Sequence, residues 1–190
     1  MKNLYTFILS AFIAVNVLAQ SYSENFDSYN VGDYIGVVGN TDGWTTWNGT
    51  TGNDSDAKIT DVKANSGSNA LYFSSTKPSG GPQDVILDFK GPYTSGTLTF
   101  EQSIFVEAGK GGYFNFQEKT KPGTFLINCF MVDDGSLNFV VGQDIVFETK
   151  YPMNDWFTFK IDIDITANKC LFYINDVLKG SWDQPIAQVA

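Results

Sequence analysis

The sequence predicts an all-β domain, an antiparallel sandwich or barrel, preceded by an export signal. Helical periodicity is nearly missing beyond residue 20. Short β-branched and aromatic runs recur between clusters of Gly, Asn, Asp, Pro and Ser. One run, "WFTFKIDIDI" at 156–165, alternates without a break. Phe157, Phe159, Ile161, Ile163 and Ile165 share one face; Trp156, Thr158, Lys160, Asp162 and Asp164 share the other. Strands with one apolar and one polar face belong to antiparallel sheets that cover a core on one side.

Taken in order, residues 1–19 read as a secretory signal peptide. Lys2 gives the positive start, 4–15 the apolar stretch, and Val17-Leu18-Ala19 the cleavage site. Asn16 and the polar run from Gln20 cut the apolar stretch below the roughly 20 residues a membrane span needs. A secreted or cell-surface location without membrane insertion is therefore expected, with 20–190 as one domain. Expected strands follow at 69–75, 83–88, 96–106, 113–118, 124–132, 137–141, 145–148, 156–165 and 170–174. Turns fall between them at "PSGGP", "EAGKGG", "KTKPG", "VDDGS" and "DITANK". The Asp-Gly of "VDDGS" tolerates the positive φ that a tight hairpin turn requires. In "AGKGGYFNFQ", Gly109, Gly111 and Gly112 make a turn with Lys110 at its tip. The lysine precedes two glycines and a strand follows, so the stretch is not a phosphate loop.

Composition removes several function classes. The formal charge is -9, all 12 basic residues are lysine, and histidine is missing. An acidic chain without arginine repels phosphate backbones and lacks the fork that reads them, which argues against nucleic acid. Without histidine, Ser-His-Asp and Cys-His catalysis and HExxH zinc sites are excluded. Hard, oxygen-liking cations such as calcium stay open. Cys129 and Cys170 lie in apolar runs, and sequence alone leaves a disulfide and two buried thiols equally open.

The segments "ENFDSYNVGD", "WTTW", "NDSDAKITDVKANSGSNALYFSS", "DVILDF", "SGTLTF", "GKGGYFNFQ" and "DWFTFKIDIDITANKCLFYINDVLKGSW" occur in that order from Glu24 to Trp182. Together they resemble the LamG-like, concanavalin A-type jelly-roll domains of secreted bacterial proteins. The resemblance implies a two-sheet antiparallel β-sandwich of jelly-roll type, an extracellular role and frequent sugar binding. It often implies one module of a larger multidomain protein. Domains of this group usually close with a further strand or two and a sorting domain. Here the sequence ends at "SWDQPIAQVA", so the resemblance implies a domain missing its closing strand at the C-terminus.

Three chemistries suggest themselves. Glucanases of the superfamily pair carboxylates on one strand, about 5–5.5 Å apart for retention and about 6.5–9.5 Å for inversion. Glu101 and Glu107 share a face but lie about 20 Å apart, which fails. Asp162 and Asp164, about 6.6 Å apart, are geometrically permitted, although alternating Asp on a solvent face is ordinary. Related jelly rolls also hold calcium, and Glu24 and Asp27 would supply half of such a site; acidic residues capping their own turns read the same way. "NDSD" at 53–56 resembles part of an EF-hand loop without its central glycine. Sugar binding needs aromatic faces for the apolar side of a pyranose and amides for its hydroxyls. Tyr113, Asn115 and Gln117 alternate with Phe114 and Phe116, and a polar solvent face would alternate likewise. Trp44 sits beside the Gly/Thr/Asn-rich loop at 42–56 and is a candidate platform. Trp47, three residues on, points to the other side and is expected in the core. The expectation is a secreted, non-catalytic module that recognises glycans, with Tyr113, Asn115, Gln117 and one of Asp162 or Asp164 on one face. A carboxylate-dependent glycan-cleaving enzyme and an adhesive module that binds protein are the alternatives.

Overall fold

A computed structural model describes residues 21–75, 77, 80–119 and 123–190. The expected signal segment lies outside them, as does part of each turn at 78–82 and 119–123. A one-turn helix α1 (Ile35–Val38) and a 3-10 turn (Asn40–Asp42) precede the strands. These are β1 (Trp44–Thr46), β2 (Lys58–Thr60), β3 (Ala70–Tyr72), β4 (Val85–Leu87), β5 (Thr97–Phe105) and β6 (Gly112–Lys119). Then come β7 (Thr124–Met131), β8 (Ser136–Val141), β9 (Asp144–Lys150), β10 (Trp156–Asp164), β11 (Lys169–Ile174) and β12 (Val177–Asp183).

Two four-stranded sheets dominate: the first in the order β12-β11-β10-β5, the second in the order β6-β7-β8-β9. Two short ladders, β1-β4 and β2-β3, complete the pairing. All of these pairs are antiparallel. The molecule is thus an all-β sandwich of two separate sheets and not a closed barrel. No helix among the described residues is long and apolar enough to cross a membrane.

The alternation at 156–165 explains the core. Phe157, Phe159, Ile161 and Ile163 on β10 join Cys170 and Phe172 on β11 in one buried cluster with Ile127, Cys129, Leu137 and Phe139 of the second sheet. Phe139 and Phe159 each bring their rings within 4.7 Å of Phe172. Burying each such phenylalanine stabilises the fold by about 1.5–3 kcal/mol. Cys129 and Cys170 are free thiols in this cluster, which resolves the open pairing. Burial pushes the Cys170 thiol up to about 12. It lifts Cys129 well above the ordinary thiol value, with the charge of Cys170 adding to the effect.

The expected strands end at 174, whereas the structure continues through β12. Its exposed leading residues carry no alternating signal, since it is a sheet edge with Trp182 as its buried anchor. Trp182 stacks on Phe147 at 5.7 Å and 11°. Gly180 makes room for that ring, because a Cβ there would run into Phe147. Beyond β12 the chain stays packed. Ile186 and Val189 join the core, Val189 bridges Tyr93, and the Ala190 amide donates to the Gln117 carbonyl at 3.0 Å.

Candidate functional site

The outward face of the second sheet collects amides and aromatic rings. On β6, Phe114 and Phe116 turn to the core, so Tyr113, Asn115 and Gln117 turn out. Residues directly opposite on neighbouring strands share a face. Register therefore builds one row of Tyr113, Phe130, Asn138 and Glu148. A second row holds Asn115, Asn128, Val140 and Ile145. Gln117 faces Phe125 in a third. Phe125 reaches this face through a bulge, where the partner of Phe116 is Ile127 and that of Gln117 is Phe125, leaving Leu126 as the extra residue. Tyr113 is 51% exposed, Phe125 53% and Phe130 40%.

The rings form two platforms. Tyr113 and Phe130 lie 4.9 Å apart, tilted by 37°. Phe125 and Trp47 lie 6.3 Å apart, tilted by 35°. Gly123 closes tightly beside the second platform: a Cβ there would run into the Gln117 side-chain oxygen and would sit 2.6 Å from the Trp47 ring. Between the platforms, the Tyr113 hydroxyl donates to Asn128 Oδ1 at 2.7 Å and accepts from Asn115 Nδ2 at 3.1 Å. Partial burial raises the Tyr113 pKa against the lowering effect of the Asn115 bond, so the phenol keeps its proton at neutral pH.

Three acceptors in these rows, Asn115 Oδ1, Gln117 Oε1 and Asn138 Oδ1, are buried with no hydrogen-bond partner. Leaving such a group unpaired costs about 1–3 kcal/mol, and native proteins carry few of them. The atoms are covered, so a donor reaches them only as the surrounding side chains shift. Along the outer edge of β6, Asp84, Ile86 and Asp88 line a small cavity with Asn115 and Gln117, about 90 Å³ in volume. That is far below the roughly 300–1,000 Å³ of small-molecule pockets. Asp84 lies on the surface, yet nearby groups strip water from its carboxyl and raise its pKa.

The sequence nominated other residues, and the structure places them elsewhere. Asp162 and Asp164 belong to the first sheet, on the side of β10 away from the core. They cannot share a face with Tyr113, because the two sheets turn their apolar sides towards each other. Asp162 accepts from the Thr99 hydroxyl at 2.6 Å, and Asp164 from the Ala167 amide at 2.8 Å. Trp44 packs in a smaller cluster with Ile35 and Ile59, its ring 6.0 Å from Phe26 and its Nε1 donating to Tyr22. Trp47, expected in the core, is 37% exposed and is the tryptophan of the amide face.

Glu24 accepts from the Phe26 amide at 2.6 Å and from the Tyr29 hydroxyl at 3.0 Å. Asp27 Oδ1 accepts from the Ser68 and Asn69 amides at 2.8 and 2.9 Å, and its Oδ2 from Asn25. These carboxylates organise turns. Among the described residues no three His, Cys, Asp or Glu side chains gather as ion ligands. In the "NDSD" stretch, Asp56 is buried and accepts from the Gly36, Gly52 and Ala57 amides, which folds the loop around it.

The residues that sequence reasoning missed here are Phe125, Phe130, Asn128, Asn138, Asp84 and Trp47. Cross-strand register brings the first four together, and a single strand's pattern does not contain it. No protein-family model matches the chain, and no curated protein matches it either. Chemically, the face offers stacking surfaces, amide donors and acceptors, and few charges. Glu148 lies three strands from β6, about 14 Å away at ordinary strand spacing. Asp84 flanks the opposite edge of β6, so these two carboxylates stand farther apart than the roughly 5–9.5 Å over which a carboxyl pair cleaves a glycosidic bond.

Proposed function

We propose that the protein is a secreted, non-catalytic carbohydrate-recognition module, and that the outward face of β6 and β7 is its binding surface. The observation that carries this reading is the strip of Tyr113, Phe130, Asn115, Asn128, Gln117 and Phe125, with the buried amide oxygens of Asn115, Gln117 and, on neighbouring β8, Asn138 lacking donors. Rings cover the apolar side of a sugar, and side-chain amides exchange hydrogen bonds with its hydroxyls. The jelly-roll resemblance and the signal-like start at 1–19 support an extracellular role. Concanavalin A-type architecture is part of the proposal; the separate antiparallel sheets are compatible with it.

A glycan array read together with a reducing-end assay tests the reading. Binding without sugar release is expected, and Tyr113→Ala should weaken it at least about tenfold, as loss of a central aromatic contact does. Release of reducing ends would return the enzyme alternative, and no binding to any glycan would return the adhesive one.

A further inference from the structure

The two ring platforms are set along the strands, not across them. Tyr113 and Gln117 are four residues apart on β6, so the Tyr113–Phe130 pair and the Phe125–Trp47 pair are separated by about 13 Å. The Asn115–Asn128 pair lies between them. One sugar ring cannot touch both platforms. The cavity beside β6, about 90 Å³, is too small to enclose a separate ligand, which leaves the open strip as the contact surface. Charge narrows the class further. Within the rows from Tyr113 to Gln117 the one charged side chain is Glu148, and Asp84 flanks the edge; both are acidic. Among the described residues Lys119 pairs with Thr124 one step past Gln117, so an anionic polysaccharide would meet both carboxylates along these rows and a lysine only beyond them.

We propose that this face takes a neutral polysaccharide as an extended segment lying along β6 and β7. Sugar faces rest on the two ring platforms, and hydroxyls reach the amide row between them. This rests on the carbohydrate-recognition reading above and adds polymer, orientation and charge to it. Occupying both platforms with one chain makes the second contact intramolecular, so affinity rises steeply with chain length until both are filled.

The test is calorimetric titration of the full chain with the mono- to hexasaccharide series of gluco-, manno- and xylo-oligomers, and with polygalacturonate. The best neutral hexasaccharide should bind at least about tenfold more tightly than its disaccharide, with polygalacturonate unbound. Phe125→Ala and Trp47→Ala should each erase most of that length gain, so that hexasaccharide affinity falls towards that of the disaccharide. Both residues are surface side chains, and an unchanged melting temperature controls for folding. A glycan bound equally well as monosaccharide and hexasaccharide overturns this inference alone, and so does a preference for polygalacturonate. Phe125→Ala and Trp47→Ala both without effect on the length gain would overturn it as well. If no saccharide of either charge binds, the parent reading fails with it.

Discussion

Asp27 works as a clasp between segments far apart in the chain, holding the 67–69 loop to the N-terminal strap. Gly67 makes the close approach possible: its φ is +62°, and a Cβ there would run into the Asp27 carboxylate. Gly67→Ala adds a left-handed residue, costing about 1–2 kcal/mol, and displaces an acceptor of two amides, costing about 1–3 kcal/mol. We expect a loss of about 2–5 kcal/mol in urea denaturation; a loss below about 1 kcal/mol would mean that the clasp holds nothing. Asp84 gives a pH signature. Its carboxyl has a raised pKa in the folded protein, so its favourable contribution is complete below the ordinary Asp value of about 3.9 and is lost as pH rises through the folded value. Asp84→Asn should therefore be at least as stable as the parent at pH 7, with its advantage shrinking towards pH 3.5. A variant less stable at pH 7 would contradict the desolvation argument. Acidic residues were legible here as residues but not as roles. A carboxylate that clasps amides and one that holds an ion share the same letters.

At the scale of elements, strict alternation was the readable signal, and it failed where the ladder is irregular. Ile127, Cys129 and Met131 face the core, so a period of two places Phe125 beside them; the bulge at Leu126 turns it outward instead. The Tyr113, Asn115 and Gln117 face was legible because β6 is regular over that stretch. Its partners were not, because register is a property of two strands together. Asp162 and Asp164 were legible as outward-facing, but nothing local to β10 says which sheet it joins. The start of β6 adds a prediction. Gly111 approaches the carbonyl of Met131 so closely that a Cβ would sit 2.6 Å from it. Gly111→Ala should push β6 from β7 at that end, costing about 1–3 kcal/mol as an overpacked contact does. Because Tyr113 lies two residues on, glycan affinity should fall more in Gly111→Ala than in Gly109→Ala, which meets no neighbour and carries only the strain of a side chain at a φ of +73°. Equal affinities in the two variants would show that the platform does not depend on this close approach.

For the whole molecule, the sandwich supplies its own reporters of cooperativity. Cys129 from the second sheet and Cys170 from the first are both fully buried at the centre of the core. Burial also keeps both thiols protonated near neutral pH, and the thiolate is the reactive form. A thiol reagent at pH 8 should therefore leave the native protein unlabelled and modify both cysteines only through opening of the whole sandwich. Where reclosing outpaces labelling, the observed rate follows the population of the open state. Phe139→Ala removes a ring packed against Phe159, Phe172 and Trp182, a loss of about 3–5 kcal/mol. Labelling of both cysteines should then accelerate together, by about two to three and a half powers of ten at ~1.4 kcal/mol per decade. Peptide mapping separates the two sites. If Cys170 labels much faster than Cys129, or if either rate ignores Phe139→Ala, the sheets open one at a time and the core is not a single cooperative unit.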